Sequence, residues 1–273
     1  MNIQRIIIFV IGMIVVGIGI FYAVSHFSRQ IDENFSFDQI NTTLPIVEEV
    51  HILPDSPTLG VEEAVSVPII PESQVSVETI EYPVSFTSQA PTGDWSKSVF
   101  QDGCEEASTL MVWMAKTGTT LSPIKVRDKL IDMATFQEKI IGHGVDTDVS
   151  DTQEYLLKQY FAIADARVVY DFTLDELKES VMTNFVIVPT NGRALKNPNF
   201  TAPGPLQHML VIKGYDVVTK EFITNDPGTR KGENYRYSEQ VLYDAIREYP
   251  TGKHVPITTQ RKAMIVVPVE QQS

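Results

Sequence analysis

Residues 101–108 read QDGCEEAS and contain Cys104, the single cysteine of the 273-residue chain. Downstream apolar residues share one helical face: Ala107, Leu110, Met111 and Met114. An amphipathic helix is therefore predicted to begin at Cys104 and to end at Thr117-Gly118. Because one cysteine cannot form a disulfide within the chain, its thiol is reactive, a small core group, or a link to another chain.

The N-terminal residues 6–24, IIIFVIGMIVVGIGIFYAV, contain neither a charge nor a proline. A helix of this length crosses a hydrocarbon core of about 30 Å, so residues 1–27 are expected to be a transmembrane anchor. A cleaved signal peptide is the alternative, because Ala23-Val24-Ser25 resembles a cleavage site. The following residues are expected outside the cytoplasm, held at the cell membrane in the first case and secreted in the second.

Residues 28–82 differ in composition from the rest of the chain. They contain no lysine, one arginine and eleven acidic residues, and five prolines interrupt their short apolar clusters. These clusters are too brief to build a core, so this segment is expected to be an acidic, proline-containing linker without stable structure. A small β-module is the alternative.

Residues 83–273 are long enough to form one domain with its own hydrophobic core. The chain carries a net charge of −13 and has no run of lysine or arginine. Nucleic acid is therefore excluded as an expected partner.

The predicted helices of this domain come mostly before its antiparallel strands, an order that favours an α+β fold. Helices are predicted to start at Ser122-Pro123, at Ser150 or Asp151, and at a capping box formed by Thr173 and Glu176. Residues 191–207 form a long irregular loop, a feature that is commonly functional. The remaining predictions are a helix at residues 238–248 and strands at residues 81–86, 166–170, 185–189, 208–215, 221–225 and 263–267.

Three residues could together carry nucleophilic chemistry. A cysteine attacks a carbonyl as the thiolate, which a helix N-terminus and a neighbouring imidazolium both stabilise. His208 opens an apolar strand and Asp226 follows the next one, so pairing of these strands would let Asp226 orient His208 toward Cys104. Each also has a purely structural explanation: an inert buried thiol, a packed histidine, and an Asn-Asp-Pro-Gly turn.

Four segments of the chain resemble the C39-like branch of the papain-type cysteine peptidases. They read PVSFTSQ at 83–89, DGCEEAS at 102–108, GPLQHMLVIKGY at 204–215 and NDPG at 225–228. The resemblance implies a papain-like fold in which a central cysteine-bearing helix packs on an antiparallel sheet. It also implies that Cys104 is the nucleophile, His208 the base, Asp226 the orienting acid and Gln89 the oxyanion donor.

The chain departs from the family pattern in two places. In transporter-associated members the glutamine lies close before the cysteine and a glycine follows it, whereas here Gln89 is fifteen positions upstream and Glu105 follows. Gln101 is the alternative oxyanion donor, although Gln89 follows the PVSF segment as the family glutamine does. Glu105 and Glu106 would raise the thiol pKa if their carboxylates faced it.

No cofactor and no metal ion are expected. No pair of residues has metal-ligand spacing such as CxxC or HExxH. His143 lies in a polar loop, and the nearby Asp146, Asp148 and Asp151 lack the rest of a calcium-loop pattern. Trp95 and Tyr215 are candidates to line a cleft.

These observations predict a membrane-anchored, extracytoplasmic cysteine peptidase or amidase that acts on peptide or cell-wall-derived substrates. A transpeptidase or acyltransferase would use the same triad with an amine as the acceptor. The non-enzymatic alternative is a domain that binds a peptide or a wall polymer. Nothing in the sequence determines the oligomeric state.

Overall fold

The structure, a computed structural model, describes residues 79–144 and 146–269. The predicted anchor at residues 1–27, and the predicted linker up to residue 78, lie outside the described residues. No helix within the described ranges has the length and apolar character needed to cross a membrane.

Most helices of the described part of the chain come before most of its strands. The helices are α1 (Ser98–Gln101), α2 (Cys104–Thr117), α3 (Pro123–Ile141), α4 (Val149–Asp151), α5 (Leu174–Val181) and α6 (Glu239–Ala245), and α4 continues into a π-helical segment at Thr152–Tyr160. The strands are β1 (Thr79–Glu81), β2 (Arg167–Tyr170), β3 (Asn184–Thr190), β4 (His208–Asp216), β5 (Glu221–Asn225), β6 (Tyr235–Ser238) and β7 (Ala263–Pro268).

The strands form one sheet in the order β2-β7-β3-β4-β5-β6, and β1 also pairs with β4. Every pairing is antiparallel. The predicted α+β fold, with a cysteine-bearing helix on an antiparallel sheet, is confirmed.

Apolar side chains cover both faces of the central strands. On β4, Met209 and Val211 pack with α2, α3 and the π-helical segment, whereas Leu210 and Ile212 pack with α5 and α6. Successive side chains of a strand point to opposite faces, so this alternation places one helical layer on each side of the sheet.

Several helix ends match the sequence pattern. Gly118 ends α2 in the left-handed conformation, with φ of 63°. Ser122 caps α3 by accepting a hydrogen bond from the Lys125 N–H, and Thr173 forms the predicted capping box with Glu176 at the start of α5.

Three boundaries were predicted wrongly. The strand predicted at residues 81–86 stops at Glu81, and after one more bond from the Tyr82 N–H to the Lys213 carbonyl, Pro83 has no N–H to continue the ladder. Asp148, not Ser150 or Asp151, caps α4. The last helix ends at Ala245 because Ile246 is extended and bridges to Thr190.

Candidate active site

The first turn of α2 contacts the start of β4. The Met209 N–H donates a hydrogen bond of 3.3 Å to the Cys104 Sγ, and the Ser108 hydroxyl donates one of 3.3 Å to the Met209 carbonyl. Gly103 permits the sharp entry into the helix, because a Cβ there would lie 2.2 Å from the Val99 carbonyl oxygen. This docking brings Cys104 to the residue that follows His208.

His208 and Asp226 meet across the β4–β5 hairpin. His208 is the first residue of β4, and Asp226 directly follows Asn225 at the end of β5. The His208 Nε2 lies 2.7 Å from the Asp226 Oδ1, and both side chains are buried. The pairing of the two strands thus produces the contact that their sequence positions suggested.

Two residues that were not predicted from the sequence complete the surroundings of Asp226. Its Oδ2 accepts hydrogen bonds from the Tyr237 hydroxyl (2.6 Å) and the Asn197 Nδ2 (3.3 Å), and its Oδ1 accepts one from the Gly228 N–H (3.0 Å). Burial raises the pKa of the Asp226 carboxyl, but His208 and these hydrogen bonds outweigh burial and bring the pKa below 3.8. Asp226 is therefore an anion at neutral pH.

The His208 ring is fixed by its neighbours as well as by Asp226. Phe200 contacts it edge to face, with ring centroids 5.3 Å apart. Gly228 lies against both rings, and a Cβ there would be only 2.8 Å from the His208 Cε1 and 3.0 Å from the Phe200 Cε1. The glycine of the NDPG segment thus makes room for the imidazole.

A cleft of about 470 Å³ opens beside Cys104 and His208. Gln89, Gln101 and Trp95 also line it, so the expectation for Trp95 is confirmed. The expectation for Tyr215 is wrong: this residue packs on Phe222 in the core on the other face of the sheet. A bulge between Ile212 and Gly214 shifts the alternation by one residue and turns Tyr215 away from the α2 face.

Both candidate oxyanion donors have their amide N–H groups directed at backbone carbonyls. The buried Gln89 Nε2 donates to the carbonyls of Gln101 (2.6 Å) and Phe100 (3.3 Å). The exposed Gln101 Nε2 donates to the Trp95 carbonyl at 2.8 Å. Gln89 is the better candidate of the two because its side chain is buried at the cleft. Its amide would have to rotate away from these carbonyls to reach a substrate oxygen.

Glu105 faces the thiol from within the protein. Its Oε2 lies 3.4 Å from the Cys104 Sγ, and its Oε1 accepts a hydrogen bond of 2.5 Å from the Tyr249 hydroxyl. Burial, and then the charge of Asp146, raise the pKa of Glu105 to about 8. At neutral pH this carboxyl is therefore mostly neutral.

The environment favours the protonated form of the thiol. Burial raises the pKa of Cys104 well above 9.0, and the carboxylates of Glu105, once it ionises above about pH 8, and of Asp146 also raise it. The Met209 N–H opposes this by donating to the sulfur. The raised pKa favours the neutral thiol of Cys104 near neutral pH.

Glu106 is fully buried, and neither carboxyl oxygen has a hydrogen-bond partner among the described residues. Burial and the neighbouring Glu105 raise its pKa well above 4.5. Glu106 is therefore held as the neutral acid, which removes one of the two charges that the sequence placed beside the thiol.

The acidic residues considered for calcium have other partners. Asp148 caps α4, and the Asp146 Oδ2 lies 3.1 Å from the His254 Nδ1. A Cβ on Gly252 would lie 2.6 Å from the ring of His143, so that histidine packs against the Gly252 backbone. Within residues 79–144 and 146–269, no group of three or more His, Cys, Asp or Glu side chains could hold a metal ion.

The chain is similar in sequence to a known protein family. The sequence model of the Peptidase_C39 like family matches residues 81–251. Among solved structures, the chain is similar to the crystal structure of a candidate C39-like peptidase from Bacillus anthracis. The identity is 16% and the TM-score 0.39, over 71% of this chain and 100% of that one. No curated protein matches the chain.

The buried Glu105 carboxyl predicts a specific dependence of stability on pH. Its pKa is raised from 4.5 to about 8 on folding, so between these values the unfolded chain ionises it while the folded chain keeps the proton. The free energy of unfolding therefore falls as the pH rises through this window. Glu105→Gln, which mimics the neutral acid, should flatten this fall by up to about 5 kcal/mol, at about 1.4 kcal/mol for each pKa unit. Urea denaturation at several pH values measures it.

Glu179→Gln, an exposed substitution on α5, is the matched control and should leave the pH profile unchanged. An identical slope in the wild type and in Glu105→Gln would show that Glu105 is ionised in the folded protein.

Proposed function

We propose that this chain, which belongs to the Peptidase_C39 like family, is a cysteine peptidase or amidase that acts through an acyl-thioester on Cys104. Membership of the family supports a cysteine peptidase-like function. The observation that carries the proposal is the buried His208–Asp226 pair on the cleft, one residue from the Met209 N–H that contacts the Cys104 thiol.

In the proposed first step, the Cys104 Sγ attacks the substrate carbonyl carbon while its proton passes to the His208 Nδ1. Nδ1 is the free ring nitrogen for this purpose because Nε2 faces Asp226. Collapse of the tetrahedral intermediate breaks the C–N bond, and His208 gives the proton to the departing amine. Water then attacks the thioester by the same route, which yields the carboxylic acid and restores the thiol.

Asp226 has an orienting role in this proposal. Hydrogen bonds from Tyr237, Asn197 and Gly228 hold its carboxylate, and the carboxylate in turn fixes the imidazole and stabilises the imidazolium as it forms. Its lowered pKa keeps it from taking the proton itself.

The negative charge on the carbonyl oxygen requires hydrogen-bond donors. The Cys104 N–H is suited to this because the first residue of a helix has no acceptor within that helix. Gln89 is the proposed second donor, after rotation of its amide away from the carbonyls of residues 100 and 101. One such donor is worth about 3 kcal/mol of activation free energy.

A non-enzymatic function is the second candidate, and two observations favour it. The pKa of the Cys104 thiol is raised, and the Gln89 amide is bound to backbone carbonyls. A domain that grips a peptide or wall polymer in the cleft would need neither a thiolate nor an oxyanion donor. Turnover separates the two functions.

We further propose that residues 1–27 anchor the chain in the cell membrane and that residues 83–273 act outside the cytoplasm. The uncharged segment 6–24 supports the anchor. Protease added to intact cells should degrade residues 83–273, whereas a cytoplasmic marker protein stays whole. Protection of residues 83–273 until the cells are lysed would contradict this placement.

The triad predicts a graded loss of hydrolysis in the full-length protein. Cys104→Ala and His208→Ala should each lower kcat/KM by about 10³-fold or more, and Asp226→Asn by about 10²–10⁴-fold. Quenched fluorescent peptides and peptidoglycan fragments are the test substrates, and product masses distinguish water from an amine as the acyl acceptor.

His143→Ala, an exposed histidine outside the cleft lining, is the matched control and should retain wild-type turnover. Turnover that survives Cys104→Ala would refute the proposed nucleophile.

A further inference from the structure

One side of the cleft is acidic. Asp102, two residues before Cys104, and Asp146, which is 6% exposed, both line it. His254 lies between them, with its Nδ1 3.1 Å from the Asp146 Oδ2 and 4.0 Å from the Asp102 Oδ1. No lysine or arginine is among the described residues that line this cleft. Two carboxylates thus share one half-exposed imidazole.

Gln207, another residue that lines the cleft, has an amide oxygen that is unpartnered in the described part of the chain. The Gln207 Nε2 donates to the carbonyls of Lys253 (2.6 Å) and Val255 (3.1 Å), and its buried Oε1 has no partner among the described residues. A buried acceptor without a donor is unfavourable, so a ligand that donates a hydrogen bond to it would gain affinity.

The carboxylates of Asp102 and Asp146 have too little positive charge around them to offset the cost of burial. Burial raises the pKa of Asp146, and His254 only partly offsets it. Burial, followed by the charge of Asp146, raises the pKa of Asp102. A further positive charge beside these two carboxylates would stabilise both anions.

We propose that Asp102 and Asp146 form a subsite for a positively charged group of the substrate, an ammonium or guanidinium, next to the bond that Cys104 attacks. This inference rests on the proposed function and specifies its substrate class. The surplus of acceptors matches the donors of such a group, which has three N–H donors in an ammonium and five in a guanidinium.

The test uses binding, so it does not depend on turnover. Full-length Cys104→Ala protein is titrated with a lysine-containing peptide and with the same peptide carrying Nε-acetyl-lysine, and calorimetry gives both Kd values. A peptidoglycan stem peptide with a free side-chain amine and its acetylated form make the second pair. The free amine should bind at least about tenfold more tightly in one pair or both. A preference in the lysine-peptide pair indicates a protein substrate, and a preference in the stem-peptide pair indicates a cell-wall substrate.

Substitutions locate the subsite. Asp146→Asn suits the left-handed backbone at this position, where φ is 54°, and should remove most of the preference for the free amine. Asp102→Asn should do the same and decides the matter if Asp146→Asn does not fold. Asp128→Asn, an exposed aspartate paired with Arg127 on α3, is the control and should retain the preference.

Equal affinity for free and acetylated amines, absence of binding in both pairs, or a preference unchanged by both cleft substitutions would overturn the inference. A preference for the free amine in a protein that hydrolyses nothing would support this subsite while refuting the peptidase. Hydrolysis without any preference for the free amine would support the peptidase and refute this subsite.

Discussion

The docking of the first turn of α2 on the first residues of β4 is the constraint on which the site depends. The Met209 N–H holds the Cys104 sulfur, and Met209 itself directly follows His208. Because β4 is a central strand with apolar helical layers on both faces, its position is fixed by the two cores. The register of β4 with β5 then sets Asp226 against His208. The packing of α2 and the pairing of β4 with β5 therefore determine where Cys104, His208 and Asp226 lie.

The second constraint is the charge buried around the helix start. Glu105 and Glu106 occupy the first turn of α2, where a helix dipole favours anions, yet both are fully buried. Burial raises the pKa of each carboxyl, which favours the neutral acids, and the Tyr249 hydroxyl donates a hydrogen bond to Glu105. A neutral Glu105 exerts little repulsion on a developing thiolate, whereas an ionised one would oppose it. As carboxylates, Glu105 and Glu106 would oppose the formation of a thiolate at Cys104. As neutral acids they do not.

Local patterns were enough to predict the elements that bear Cys104, His208 and Asp226. A helix start, a strand start and a strand end each have a short-range signature, and all three lie where the sequence put them. Asn197, Tyr237 and Tyr249 could not be found this way, because their role arises from contacts between segments 29, 11 and 144 residues apart. Tyr215 was misplaced because no pattern in the sequence revealed the bulge at residues 212–214. The direction of the Gln89 amide was equally hidden, since it depends on two backbone carbonyls of α1.

The rate at which iodoacetamide alkylates Cys104 in the folded full-length protein tests the central claim most directly. The account predicts that near neutral pH Cys104 of the folded protein is alkylated more slowly than free cysteine, because burial raises the pKa of its thiol, and that His208→Ala slows the reaction further, because His208 takes up the thiol proton. Peptide mapping by mass spectrometry assigns the label to Cys104. A thiol that is alkylated only after the protein unfolds would contradict the account.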